Sequence, residues 1–517
     1  MKKTPKGTGS EASPADPGLR RQTNRVFLGL VLAVLLAALD QTIVSTALPT
    51  IVGDLNGLEH ISWVITAYIL AATIGLPIYG KLGDLFGRKS IFILAIAVFL
   101  AGSTLSGLAR DISGLITFRA LQGLGGGGLM VGAQAIIAEL VSPRERGKYM
   151  GLIGGAFGLA SVTGPLLGGF ITDYWSWRWV FYINLPLGAA ALAVIISSLH
   201  LRGPGGPRPR LDYPGAVLLA LASTALILLT SWAGAGRAWD SPVAIWLGAA
   251  AAVAAVLFAA VERRAAEPVL PLQLFRHRNF TLPVLIGIAV GIAMFSAIAY
   301  MPTFLQMVNG ATAVESGLMM VPMVAGLLVA AIGSGQLISR TGRYKIYPVL
   351  GAGLAAAGLV MLSRISDTTP YAFTAAGLAV LGLGIGCTMQ NLVLIVQNSV
   401  PQRTLGAAIS TVTYFRQIGA TFGIALFGSL FISRLADQLA AAPAGVPGVG
   451  TARFSSLGPA VLRALPAPER EAIAHAFGQA LPPVFLLAVP LVLAALVLAL
   501  FIREVPLSET AGGRAEG

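Results

Sequence analysis

Fourteen apolar runs, each about the length that crosses a bilayer, constrain this chain more than anything else in it. About 20 apolar residues span the hydrocarbon layer as a helix. The runs cover roughly 26–50, 61–80, 90–109, 113–138, 148–172, 179–200, 214–232, 243–261, 280–306, 316–338, 346–363, 371–398, 405–433 and 482–502. In lipid each backbone polar group must pair within its own segment, so all fourteen are expected to be helices. The fold class that follows is an all-α membrane protein with 14 transmembrane helices. The charged fraction agrees: it is 11%, against about 25% in soluble proteins.

The net charge of +13 invites a nucleic-acid reading. The cations, however, fall in short clusters between apolar runs, as the positive-inside rule produces. With the N-terminus in the cytoplasm, 25 of the 35 lysines and arginines lie inside, 8 outside and 2 within spans. The inner clusters include Lys81–Arg88–Lys89, Arg144–Arg146–Lys148, Arg263–Arg264 and Arg340–Arg343–Lys345. Both termini are therefore expected in the cytoplasm. The basic leader (Lys2, Lys3, Lys6, Arg20, Arg21, Arg25) runs into an apolar segment too long for a signal h-region, and reads as a retained first span. Cys387 is the one cysteine, and the four histidines sit in loops or at span ends, leaving no material for a disulfide, metal site or buried histidine relay.

Two internal echoes organise the chain. "GKLGDLFGRK" (80–89) aligns with "GQLISRTGRY" (335–344), and "GLGGG" (123–127) with "GLGIG" (382–386), at offsets of 255 and 259 residues. A six-span repeat with two extra spans between the copies explains both. The expected parts are a tail at 1–25, a six-helix bundle at 26–200, a linker with the inserted pair at 201–279, a second bundle at 280–502 with an outer loop at 434–481, and a tail at 503–517. The inserted pair has almost no polar residues and reads as packing on the bundle edge. In the outer loop, Ile473, Phe477 and Leu481 stand four apart, which suits a short amphipathic helix at the membrane surface or, equally, a solvated lid.

No phosphate-binding GxxxxGK[ST] loop occurs, so ATP is not expected as a partner and work against a gradient must draw on ions. In 80–89, Gly80, Gly83 and Gly87 permit a tight turn and close helix approach. Asp84 stands near the start of span 3, where the helix dipole favours a carboxylate, and Arg88 and Lys89 hold the loop inside. The loop reads as a gate latch or, more simply, as a topological staple.

These residues carry a resemblance. G-x-L-x-D-x-x-G-R-K resembles the loop 2–3 signature of the major facilitator superfamily. "FRALQGLGGG" (118–127), "GGAFGLASVTGPLLGG" (154–169), "LDQTIVSTALPTI" (39–51) and "WRWVFYINLPLG" (177–188) resemble the motifs of its fourteen-span drug/proton antiporters, the EmrB/QacA-like branch. The resemblance implies two six-helix repeats plus an inserted pair, a proton-coupling role for Arg119, and an antiporter hinge at Gly158, Gly164, Pro165, Gly168 and Gly169. The second half departs from the loop signature, with Ser339 in the place of Asp84, and any latch there must differ.

Asp40 is the one acid deep in a span, where a charge costs at least about 2.5–3.5 kcal/mol. A guanidinium held against a carboxylate favours its ionised form, and separation favours the protonated form. Asp40 and Arg119 thus form a candidate proton switch, although the sequence does not show that they meet. Gln122, Asn391, Tyr300, Phe304, Tyr414 and Arg416 are candidates for lining a substrate cavity. The expected function is proton-coupled export of lipophilic small molecules across the plasma membrane by alternating access. With one deep acid, neutral or singly charged lipophiles are expected and divalent cations are not. The partners are then the lipid bilayer, the substrate and protons, with no nucleic acid, no cofactor and no enzymatic constellation. A dedicated exporter of one metabolite or lipid, or a non-transporting membrane sensor or scaffold, are the rival readings.

Overall fold

The structure, a computed structural model, describes residues 17–55, 60–201, 211–234, 239–440 and 466–507. Most of the basic leader, the linker 202–210, the loop 441–465 and the tail 508–517 lie outside the described residues. Among the described residues, every regular element is a helix. The first half holds α1 (Pro17–Asp54), α2 (Ile61–Phe86), α3 (Arg88–Leu108), α4 (Ile112–Leu140), α5 (Pro143–Tyr174), α6 (Trp179–Tyr182) and α7 (Asn184–Ser198). Next come α8 (Tyr213–Gly234) and α9 (Pro242–Glu262). The second half holds α10 (Arg278–Met307), α11 (Ala313–Met319), α12 (Val321–Thr341), α13 (Ile346–Leu362), α14 (Tyr371–Ser399), α15 (Leu405–Ala440), α16 (Ala467–Ala480) and α17 (Pro482–Leu500).

Among the described residues, thirteen helical stretches are long and apolar enough to cross a membrane, and α13 is a shorter apolar helix. Each of the fourteen apolar runs falls on one of these. Two runs are interrupted, at Ile183 and Met320. Pro186 and Pro322 follow these breaks and lack the N–H that would carry the helix through them. Asp111 caps α4 by accepting the Gly114 N–H at 2.7 Å, and Gly342, at φ 72°, ends α12 in the left-handed region.

The packing of the first half recurs in the second. Helix α4 lies against α2 and α3, as α14 lies against α12 and α13. Helix α1 lies against α5 and α7, as α10 lies against α15 and α17, and α3 meets α7 as α13 meets α17. Across the middle, α2 packs on α15 and α5 on α12. In lipid, helices associate through close van der Waals contact rather than a hydrophobic force, so small residues set the approach. A Cβ on Gly123 or Gly127 would strike the backbone of α2 at Tyr68 or Ala72, and one on Gly125 would strike α3 at Phe99.

The pair α8–α9, expected from sequence as an insertion, leans on α15 and α2. It is less bland than its sequence suggests. Glu262, one residue past the run assigned from sequence, is buried and accepts the Val269 N–H at 3.0 Å. Lys81 on α2 reaches Glu267 in the following loop at 2.5 Å. Ser223 on α8 bonds the Tyr414 hydroxyl at 2.8 Å.

The outer amphipathic helix forms as α16, but its apolar face is not on the membrane surface. Ile473, Phe477 and Leu481 are buried in the core of the second half, and the Phe477 ring meets Phe431 at 5.4 Å. The extension of α15 to Ala440 supplies protein surface for that face to cover.

Candidate functional site

Asp40 and Arg119 meet. The Arg119 Nη1 donates to Asp40 Oδ2 at 2.5 Å, with Asp40 fully buried and Arg119 2% exposed. Gln122, one turn along α4, accepts from the same guanidinium at 2.8 Å and donates its amide to Asp40 Oδ1 at 2.7 Å. Asn184, at the start of α7, donates to the same oxygen at 3.0 Å and to Ser103 Oγ at 3.0 Å. Ser103 in turn donates to the Phe181 carbonyl at 2.9 Å. Tyr68 of α2 lies beneath the Arg119 guanidinium, 4.3 Å from ring centre to Cζ, where its π face favours the cation. Three helices, α1, α4 and α7, thus meet on one carboxylate, and α2 and α3 back its partners through Tyr68 and Ser103.

The cluster balances one negative against one positive charge and supplies the carboxylate with three donors. Removing either partner leaves a buried uncompensated charge, a loss of about 3–5 kcal/mol. Arg119 Nε, Asn184 Oδ1 and Tyr68 Oη are buried without a hydrogen-bond partner. Asn184, Ser103 and Tyr68 were not singled out from sequence. Asn184 alone carries a readable signal, an amide within an otherwise apolar run.

Helix α5 brings small residues to two faces. Cβ atoms on Gly164 and Gly168 would collide with Thr42 and Thr46 of α1, two and six residues beyond Asp40. Thr42 Oγ1 donates to the Ala160 carbonyl at 3.0 Å on the same seam. Gly158 faces Leu327 and Leu328 of α12, and Pro165 stands inside α5. Gly169 has open space around it, so close contact does not require a glycine there.

The loop 80–89 is a junction between the halves. Asp84 accepts the N–H of Gly406 at 3.0 Å and of Ala407 at 2.9 Å, the first turn of α15. The dipole that holds it belongs to α15, not to span 3 as expected, because Asp84 ends α2 and faces across the bundle. Arg88 bridges Asp84 at 3.1 Å and Glu139 at 2.8 Å and donates to the Gln402 carbonyl at 3.0 Å. A Cβ on Gly80 would strike Ser410 and the Gly406 carbonyl. Gly87 takes φ 95°, which only glycine adopts freely. Gly83 leaves ordinary room for a Cβ, and Lys89 turns away to the Ile196 carbonyl. In the second half, Gly335 approaches the Gly147 backbone as Gly80 approaches Gly406. Where Ser339 replaces the acid, Arg144 donates to the carbonyls of Ser339 at 3.1 Å and Arg340 at 3.0 Å, serving the C-terminal end of α12.

The remaining cavity candidates do not gather. Tyr300 donates to the Ile424 carbonyl at 2.6 Å, Phe304 is buried in the core of the second half, and Tyr414 is tied to α8. Asn391 bonds Ser334 at 3.2 Å and the Cys387 carbonyl at 2.7 Å, joining α14 to α12. Arg416 is buried on α15 with no hydrogen-bond or ion-pair partner among the described residues.

Residues 30–424 match the family model described as Major Facilitator Superfamily. The chain is 45% identical over 491 residues to an uncharacterized MFS-type transporter of Mycobacterium tuberculosis, covering 94% of this chain and 70% of that one. It is 40% identical over 421 residues to the multidrug transporter protein MdtP of Bacillus subtilis, covering 81% of this chain and 77% of that one. The solved structure of the proton:xylose symporter XylE superposes with a TM-score of 0.63 at 12% identity, covering 94% of this chain and 97% of that one. The chain is a multi-pass membrane transporter that belongs to the Major Facilitator Superfamily.

Proposed function

We propose that this transporter is a proton-coupled antiporter of the fourteen-span branch, built of two six-helix repeats and an inserted pair, exporting lipophilic small molecules across the plasma membrane. The observation that carries the reading is the Asp40–Arg119 pair with its shell of donors, the one acid deep in the spans, bound where a proton changes its partnerships. Protonation of Asp40 cancels its charge and releases Arg119. Loss of the proton re-forms the pair. That is a two-state element that proton and substrate both bias, as coupling requires.

The conformation supports an outward-facing state. At the end proposed to face the cytoplasm, Asp84, Arg88, Arg144 and Arg146 hold the halves together. In α1, Gln41 and Ser45 are exposed on the outer side of Asp40. In the cycle, a proton reaching Asp40 from outside favours substrate release there. Opening of the latch then lets the proton leave to the cytoplasm. The seam of α5 on α12 at Gly158 is where the halves rock, while Gly164 and Gly168 close α5 on α1 within the first half. Relatives named as multidrug transporters favour lipophilic drugs as cargo.

Inside-out vesicles energised by respiration test the reading. A panel of lipophilic dyes is added and proton efflux from the lumen is recorded. Efflux elicited by several dyes supports broad export. Efflux elicited by none of them contradicts it.

A further inference from the structure

Three charged side chains lie deep in the described spans: Asp40, Arg119 and Arg416. The first two neutralise each other at 2.5 Å. Arg416 has no counterpart. It stands eleven residues into α15, about 16 Å along the axis, near the middle of a hydrocarbon layer about 30 Å thick. It is 5% exposed. Neither an acid nor an acceptor among the described residues meets its guanidinium, whereas Arg88, Arg119, Arg144, Arg146 and Arg178 all have partners.

The site around it is shaped for the side chain. Gly287 and Gly291, one turn apart on α10, face it. A Cβ on Gly291 would collide with the Arg416 carbonyl and crowd its Cγ, and a Cβ on Gly287 would meet its Cβ at 3.8 Å. The stem is thus cradled by two glycines. The guanidinium is not sealed off either. Arg119 Nε is a fully enclosed donor without a partner, while the nitrogens of Arg416 keep a narrow strip of accessible surface.

A lone cation at bilayer depth is costly and recurs where a pathway or ligand uses it. A structural arginine would have acquired a carboxylate or a set of carbonyls. The geometry points to Arg416 as the anchor of a substrate subsite for lipophilic monoanions, of which hydrophobic carboxylates are the natural match to a planar guanidinium. This inference rests on the export reading for its biological sense. The uncancelled charge of the membrane interior is positive, so the preferred cargo is anionic, and cations meet repulsion unless they displace Arg119 from Asp40.

Equilibrium binding to the full-length protein in detergent separates the two ideas, since it needs no proton gradient. The probes are a fluorescent hydrophobic carboxylate, its neutral methyl ester and a quaternary ammonium analogue of matched size. A charge-assisted hydrogen bond predicts that wild type prefers the carboxylate over the ester by roughly tenfold or more. Arg416→Gln is expected to erase that ratio and Arg416→Lys to keep part of it. A wild-type protein without the preference overturns the inference whether or not the variants fold. So does an Arg416→Gln protein that keeps the preference. If the preference holds while no probe drives proton efflux in vesicles, the export reading fails and the anion site stands.

Discussion

Asp84, at the end of α2, accepts the backbone N–H of Gly406 at 3.0 Å across the junction between the two halves. The same carboxylate is held by Arg88, so one charged pair both closes the end of α2 and caps a helix of the second half. Capping interactions of this kind contribute about 0.5–2 kcal/mol. Asp84→Ala should therefore shift the open–closed balance at this end several-fold toward opening. Spin labels at Ser90 and Arg403, with Cys387 replaced, measure this as a longer distance population. An unchanged distribution would make the loop a topological staple.

The glycines of α5 differ in what surrounds them. Gly164→Val drives a side chain into Thr42, two residues from the buried ion pair, and should lower the melting temperature and abolish dye-driven proton flux. Gly169→Ala meets open space, and helix propensity alone predicts a gain of about 0.5–1 kcal/mol. Thermal unfolding in detergent of the two variants provides the contrast.

Asn184 serves two acceptors, Asp40 and Ser103. Asn184→Ala should cost about 1–3 kcal/mol by leaving a buried carboxylate short of a donor. Coupled proton flux should fall with it. Ser103→Ala acts on the same network, so the double variant should lose less than the sum of the singles, which a double-mutant cycle of melting temperatures reads directly.

The pair α8–α9 is tied to α15 by the hydrogen bond between Ser223 and Tyr414. Tyr414→Phe and Ser223→Ala should each destabilise the protein by about 0.5–1.5 kcal/mol, and the two together by little more than one. Additive losses would mean that the residues act separately. Dye-driven flux measured beside the unfolding curves shows whether the pair affects transport or only cohesion.

Helices were legible because lipid leaves the backbone no other partner than itself, and every apolar run became helical, two of them with a break. Asp40, Arg119 and Gln122 were legible as polar residues where polarity is costly. Their meeting was not, since Asp40 and Arg119 lie 79 residues apart on different helices. Asn184 escaped because a single amide near a helix start has several ordinary uses. The partner of Asp84 was invisible for a related reason: backbone N–H groups at Gly406 and Ala407 leave no mark in the side-chain sequence. Phe304 and Tyr414 looked like cavity aromatics because sequence does not say which face of a span meets another helix. The face of α16 was readable as apolar, but whether lipid or protein covers it depended on the length of α15.

Asp40 is the group proposed to couple proton to substrate. Its most direct test compares wild type with Asp40→Asn in respiring inside-out vesicles, recording proton efflux when a lipophilic dye is added, with dye binding measured in parallel to show that the variant is folded. Dye-driven efflux is expected in wild type and none in Asp40→Asn, while the dye still binds. Undiminished efflux in the variant would make the Asp40–Arg119 pair a structural fixture and move the coupling elsewhere in the molecule.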